Sequence, residues 1–216
     1  MKSLLRAAAA PALFLVVAAC ASAPLVNMKE PRRIVGTEND VRIDAEIVGD
    51  QLSPSVRLPI KYDITNNRAT AIAVADLIPD TTYDPETLVL TVTLGSEVPG
   101  MEFLPRLVVI GPGQKKSFSV NAAVKVAVPG GPSPFMHAPQ ALRLKLNFLT
   151  DPKPFEKLID IPEKVVHDPQ LAAEIFPKWV EGNESVYTNT LPMRWMTAGM
   201  TDEPAPEPPR RRRPVP

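Results

Sequence analysis

The chain has 216 residues, and its 44% hydrophobic and 22% charged content is typical of a globular protein. Its 26 prolines exclude a long helix or a coiled coil and favour short strands joined by turns. The formal net charge is zero and Cys20 is the only cysteine, which argues against a broad nucleic-acid-binding face, an intrachain disulfide framework and a cysteine-rich metal cage.

Residues 1–19 have the pattern of an export signal. Lys2 and Arg6 make the start positive, and the apolar stretch 7–19 is too short to span a bilayer of ~30 Å as a mature helix. We therefore expect residues 1–19 to be a secretory signal peptide that takes no part in the mature fold. A buried N-terminal helix is the alternative, but it would not explain the charge asymmetry.

The end of this segment, residues 17–20 (Val-Ala-Ala-Cys), resembles the lipobox of bacterial lipoproteins. The resemblance implies that Cys20 becomes the first mature residue and carries lipid on its sulfur and amino group. Position 21 is alanine rather than aspartate, which by the same resemblance implies the outer membrane, with the protein facing the periplasm. Ordinary signal-peptidase cleavage after Ala23 is the alternative, and it would place Pro24 first in the mature chain.

Residues 20–39 are expected to form the lipid anchor and a tether, because the prolines and charges there show little periodicity. From residue 40, apolar and polar side chains alternate over many short segments, as in strands with one buried face. Turn signals separate these segments and no helical stretch intervenes, so we expect an antiparallel β-sandwich over residues 40–162. The expected strands are 41–47, 56–64, 72–77, 88–94, 107–110, 118–128, 142–148 and 158–161.

Two positions in this region carry further expectations. Pro59 lacks the amide proton that a strand ladder needs, which predicts an edge strand or an irregular one. Residues 80–86 include a proline and are expected to form a loop.

The stretch Tyr-Asp-Ile-Thr-Asn-Asn at 62–67, followed by Ile-Gly-Pro-Gly-Gln at 110–114 and an alternating strand, resembles immunoglobulin-like and fibronectin-III-like domains. The resemblance implies an all-β, immunoglobulin-like sandwich over residues 40–162. This region has neither the cysteine pair nor the core tryptophan of antibody domains. Such an architecture implies no particular chemistry.

Residues 163–200 differ in composition and are expected to form a short helical and aromatic extension. Asp168 can cap a helix that begins at the following proline, and apolar residues come after it at helical spacing. Pro177 interrupts that spacing, so the helix is expected to end or kink near Phe176. Residues 201–216 are rich in proline and arginine and are expected to be a disordered tail.

No arrangement of residues indicates catalysis. His137 and His167 are the only histidines, and Cys20 would be consumed by lipidation, so no Cys–His pair is available. Residues 111–117 superficially resemble a phosphate-binding loop, but the second glycine does not directly precede a lysine and the segment leads into a strand. We therefore expect a protein with no catalytic residues and no cofactor.

One cluster of residues could bind a metal. Met193, Met196 and Met200 lie three and four residues apart, and Met136 is next to His137. Thioethers together with an imidazole suit Cu(I), and the spacing weakly resembles the methionine motifs of periplasmic copper carriers. The alternative is that the methionines fill gaps in a hydrophobic segment around the second tryptophan.

Two features could bind a partner protein. Trp179 and Trp195 could dock, because tryptophan is enriched at binding hot spots, or their segment could fold back over one sheet of the sandwich. A run of arginines in the tail could contact acidic envelope components, or it could serve only to keep the tail soluble. This run comprises Arg210, Arg211, Arg212 and Arg213.

Together these features predict a non-catalytic, lipid-anchored protein of the cell envelope. We expect it to act as a structural or adaptor module that binds another envelope protein through a strand edge or loops of the sandwich. No nucleic-acid partner is expected. A periplasmic copper-binding lipoprotein is the alternative, and an envelope hydrolase is a third hypothesis that no motif supports.

Overall fold

In the computed structural model, the chain is described over residues 32–53, 56–124 and 138–196. These residues form fifteen strands, one α-helix and one 3₁₀ helix, so the expected all-β class is confirmed. The α-helix, α1, spans Pro169–Gly182, and the 3₁₀ helix spans Lys153–Leu158. The strands are β1 (Arg32–Glu38), β2 (Val41–Ile47), β3 (Gln51–Leu52), β4 (Leu58–Asn66), β5 (Ile72–Ala75), β6 (Asp80–Asp84), β7 (Val89–Leu94), β8 (Phe103–Pro105), β9 (Leu107–Ile110), β10 (Lys115–Ala122), β11 (Ala141–Leu149), β12 (Val165–His167), β13 (Asn183–Tyr187), β14 (Leu191–Pro192) and β15 (Arg194–Trp195).

The first sheet has four antiparallel strands in the order β1-β2-β4-β10. Since β4 lies in its interior, the expectation that Pro59 marks an edge or irregular strand is wrong. Pro59 lies opposite Asn121 of β10, whereas the pairing of β4 with β2 begins only at Ile60. The missing amide proton therefore costs no ladder hydrogen bond with β2.

The second sheet has seven strands, with the path β6-β7-β11-β5-β9 and with β13 and β14 also paired to β11. β11 pairs with β7 in parallel, from Ala141 opposite Val89 to Leu146 opposite Leu94, so the expectation of a wholly antiparallel sandwich is wrong here. The path of the chain explains the parallel pairing. After β9 the chain crosses to the first sheet as β10, and it then returns to the second sheet as β11, which runs in the same direction as β7. β13 and β14 lie along the opposite edge of β11.

Two hydrophobic clusters hold the fold together. The larger cluster fills the space between the sheets and includes Ile64 from the first sheet and Leu144 from the second. The smaller cluster lies on the other face of the second sheet, where α1 and the 3₁₀ helix cover it and Trp179 is buried. β5 contributes to both because its side chains alternate between the two faces, with Ile72 in the larger cluster and Ala73 in the smaller.

Helix α1 begins where the sequence predicts and continues further than expected. The Oδ1 atom of Asp168 caps it by accepting a hydrogen bond from the Leu171 amide at 2.9 Å. The helix runs through Pro177 to Gly182, so the expectation that it ends near Phe176 is wrong. Pro177 lies on the exposed face, where the carbonyl that loses its intrahelical partner can bond to water instead.

The segment expected to be a tether contains a strand, β1. β1 pairs with β2 along its full length, and Asn39 and Asp40, both with positive φ, form the two-residue turn between them. Gly36 occupies a buried position of β1. Because glycine has no apolar side chain, the sequence does not show the alternation of apolar and polar residues that marks a strand. The tether expectation is therefore wrong for residues 32–39.

Three other boundaries differ from expectation. β13 and β14 pair with β11, and β12 pairs with β8, so strands from residues 163–196 belong to the sheets, and the sandwich does not end at 162. The same segment also contains the expected helix, α1. Residues 80–84 form β6 instead of a loop, because they pair along β7. Residues 158–161 do not form the expected strand. The 3₁₀ helix ends at Leu158, and Ile159 makes a single bridge, to Leu107.

Several predictions lie outside the described residues. They are the signal peptide, lipidation of Cys20, the metal candidates Met136, His137 and Met200, and the Pro/Arg-rich tail with Arg210 to Arg213. Among the described residues, no helix is long and apolar enough to cross a bilayer.

Candidate functional site

The two long sides of the sandwich are covered differently. On the closed side, Val35 of β1 is hydrogen-bonded to Asn189 of the opposite layer, which joins the two sheets. On the open side, β10 faces residues 75–79, and a groove of about 240 Å³ lies between them. The open side is the candidate functional site.

β10 is the outer strand of the first sheet on the open side. All eight of its residues are in register with β4, with no proline and no bulge to interrupt the edge. The Asn66 amide donates to the Gln114 carbonyl at 2.9 Å. Since hydrogen-bonded and non-bonded pairs alternate along an antiparallel ladder, the main chains of Ser117, Ser119 and Asn121 point away from β4. Among the described residues, no strand pairs with this edge.

The groove beside β10 is partly aromatic. Tyr62 of β4 and Phe118 of β10 are directly opposite each other, and their rings stack with centroids 5.1 Å apart and planes 10° apart. Leu77 and Ile78 line the groove from the second sheet, and the Ile78 side chain is 78% exposed. Burial, followed by the negative charge of Asp76, raises the pKa of Tyr62 above its ordinary value, so the phenol is neutral.

An ion-pair cluster closes one wall of the groove. Asp76 pairs with Arg106 and also with Lys164, the latter at 3.5 Å. Main-chain bonds join the same three residues, because the Asp76 amide donates to the Arg106 carbonyl and the Arg106 amide donates to the Lys164 carbonyl. Burial alone would raise the pKa of Asp76, but the two cations outweigh burial and hold that pKa below its ordinary value.

The rim of the groove is cationic. Arg57 and Lys164 line it, and Lys116 projects from β10 on the same face as Phe118, two residues away. The one carboxylate among the lining residues, Asp76, is already paired. Negative groups on a bound partner would therefore meet cations at this rim.

Asn66 fixes the turn that delivers the chain to β10. Its side-chain amide donates to the carbonyls of Thr70, Ile110 and Gly111, at 2.9, 2.9 and 3.1 Å. Its Oδ1 atom accepts from the Arg68 amide at 3.0 Å, and the residue is fully buried. One side chain thus holds together the end of β4, the turn before β5 and the end of β9.

The two tryptophans do not form an exposed docking surface. Trp179 is 1% exposed, its indole N–H donates to the Ser96 carbonyl at 3.2 Å, and it packs edge-on against Phe155. Trp195 is half-buried in β15 and packs against the larger cluster. Their segment covers the sheets, as the packing alternative describes.

Of the five metal candidates, the described residues include two, and the structure places them in different surroundings. Met193 is 6% exposed within the larger cluster, and its sulfur faces the Arg32 guanidinium at 3.9 Å. Met196 lines a separate cavity of about 530 Å³ near Gly49, and Met193 is not part of that lining. Among the described residues, no group of three histidine, cysteine, aspartate or glutamate side chains could hold a metal ion.

His167 lies on the surface beside β8. Its Nε2 atom is 3.6 Å from a Glu102 carboxylate oxygen, and its ring lies against Phe103 with centroids 5.0 Å apart. These contacts fit a surface pair rather than a buried general base.

Sequence reasoning did not find the groove. The alternation in residues 56–64 and in residues 118–122 predicts that Tyr62 and Phe118 point inward, but nothing local shows that they face each other. Residues 75–79, which complete the groove, lie at the end of the expected strand 72–77 and just beyond it, and nothing in the sequence shows that they face β10. A comparison with protein-family models and with curated proteins finds no match for this chain.

Proposed function

We propose that this protein is a non-catalytic, lipid-anchored component of the bacterial cell envelope that binds another envelope protein along the open side of its sandwich. The observation that carries the proposal is the edge of β10, which pairs with no strand of the described residues and lies beside a partly aromatic groove. Native proteins usually protect long, regular edge strands with prolines, bulges or covering segments. An edge left without these devices is suited to pairing with a partner.

The anchor in this proposal is Cys20, which the lipobox-like residues 17–20 support. The first described strand begins at Arg32, and in this proposal residues 21–31 would connect the lipid to it. Eleven residues reach at most about 40 Å when fully extended. The sandwich would therefore work close to its membrane, where a second envelope protein is within reach.

The anchor is tested by replacing Cys20 with serine. We expect fatty-acid labelling of the protein to be lost and the protein to move from the membrane fraction to the soluble envelope fraction. Labelling that persists in the C20S variant would contradict the anchor.

The binding role is tested by photo-crosslinking in cells. A photoreactive phenylalanine analogue at Ser119 on the open side is expected to capture one dominant envelope protein. The matched control carries the same analogue at Phe176, which is 44% exposed on α1, away from β10. Capture at Phe176 but not at Ser119, or at neither position, would contradict binding along the open side.

A further inference from the structure

We infer that the open side takes its partner as an extended peptide segment, which adds to β10 as a new strand and carries alternating apolar side chains between acidic residues. This inference rests on the proposed function and names the chemistry of the partner at the same site. The inference requires that the main chain of the segment bonds to β10, that its apolar side chains fit the groove, and that its acidic residues meet the cations at the rim.

The main-chain match follows from the register of β10. Ser117, Ser119 and Asn121 direct their amide and carbonyl groups to the open edge, as the alternation from the Asn66–Gln114 bond requires. From Lys115 to Asn121 the edge is about 20 Å long at the usual rise per strand residue. Because this edge is continuous, an added strand can form a regular ladder along it.

The side-chain match follows from the pleat of the added strand. Every second residue of such a strand points to the same face of the sheet as Phe118 and Val120. That face borders the groove, whose other wall is formed by residues 75–79. Apolar side chains entering there would contact the Tyr62–Phe118 stack and cover Ile78, which is otherwise 78% exposed.

The cations at the rim of the groove favour a segment with acidic residues on either side of its apolar positions. Arg57 and Lys164 line the groove, Lys116 lies on the same face of β10 as Phe118, and the carboxylate of the groove is held in ion pairs. Asp80, the next acid along the chain, has an interaction of its own. Acidic residues on either side of the apolar positions would neutralise the rim and direct the segment to this edge.

A second copy of the chain fits the edge less well. Pairing two copies through β10 would bring two identical cationic rims together, and like charges across an interface are unfavourable. A separate acidic segment meets no such repulsion.

Amide hydrogen exchange on the full-length protein in detergent micelles tests the inference. The probes are capped ten-residue peptides with three alternating valine or isoleucine residues between acidic ends. Without peptide, the Ser117 and Ser119 amides are expected to exchange quickly, while the Phe118 and Val120 amides, bonded to β4, are protected. With peptide, we expect exchange at Ser117 and Ser119 to slow at least tenfold.

Matched peptides and variants isolate each contact. Lysine ends, or N-methylation of the peptide amides that face β10, should weaken binding at least tenfold. S119P should weaken it to a similar extent because the edge donor is removed, whereas S119A should bind normally. F118A should weaken binding by removing the aromatic contact without changing the edge.

The outcomes separate this inference from the proposed function. Peptides that leave the Ser117 and Ser119 amides unprotected at millimolar concentration overturn the inference, whereas crosslinking at Ser119 still decides whether a partner binds there. Protection without peptide also overturns it. If that protection rises with protein concentration, a second copy occupies the edge, and if it does not, the chain covers its own edge.

Discussion

The closed and open sides of the sandwich differ in what their outer strands, β1 and β10, do with the main-chain groups that point away from the sheet. On the closed side, the Val35 amide donates to the Asn189 Oδ1 atom at 2.8 Å, and the Asn189 amide donates to the Val35 carbonyl at 3.0 Å. The outer edge of β1 is thereby bonded at Val35 to the segment between β13 and β14. On the open side, the corresponding groups of β10 have no strand partner among the described residues.

The residue types on the two sides differ accordingly. Gly36 allows the closed side to pack tightly, because a side chain there would overlap the Tyr187 carbonyl. The open side has Phe118 and Val120 at inward positions, and near one end of β10 the Thr81 hydroxyl donates to the Ala123 carbonyl at 3.0 Å. One side is therefore closed by direct contact between the two layers, and the other has an open groove between them.

The largest expected effect comes from breaking the closed side. G36A places a methyl group against the Tyr187 carbonyl, and overpacking of this kind should lower the free energy of unfolding by about 3 kcal/mol. Urea unfolding measures the change. G182A is the matched control, because its new methyl group lies 3.7 Å from Thr150 Oγ1 in ordinary contact. Equal stability of G36A and the parent protein would contradict the tight contact on the closed side.

The next effect concerns the turn that delivers the chain to β10. N66A removes the buried amide that satisfies three carbonyls, and we expect a loss of about 2 kcal/mol in the free energy of unfolding. N67A, at the exposed neighbouring position, should change it by less than about 0.5 kcal/mol. If the two variants unfold alike, Asn66 does not anchor this turn.

The sequence predicts the strands well where side chains alternate, as in residues 41–47 and 142–148. It misses β1, because Gly36 occupies an inward position and leaves no apolar side chain to mark it. It also misses β13, whose five residues contain a single buried side chain, Val186. Such strands depend on pairing with a distant neighbour, and no local pattern encodes that neighbour.

The candidate site depends on the same kind of distant information. Tyr62 and Phe118 are 56 positions apart, and only the register of β4 with β10 makes them stack. Asp76, Arg106 and Lys164 come from three separate segments that main-chain bonds bring together. Residue types alone therefore predict an inward aromatic and several surface charges, but not a groove.

A smaller effect, of about 1 kcal/mol at pH 7, is expected from D76N on the open side. Since the cations lower the pKa of Asp76 in the folded state, its contribution to stability is present above the unfolded pKa of about 3.9 and is lost as the pH falls through the folded pKa. Thermal unfolding between pH 2 and pH 7 should show the two proteins converging in acid. A constant D76N deficit would contradict a stabilising carboxylate.

The smallest effect on stability is expected from proline on the open edge. Because the Ser119 amide points away from β4, S119P removes no ladder bond and should lower the free energy of unfolding by well under 1 kcal/mol. F118P removes an amide bonded to β4 and should cost about 3 kcal/mol. Urea unfolding of both variants checks the alternation directly. If S119P is as damaging as F118P, the edge of β10 is already paired, and the contrast between the closed and open sides fails. If S119P folds normally but no longer binds acidic, alternating peptides, the same amide that the fold leaves unused is the one that the partner needs.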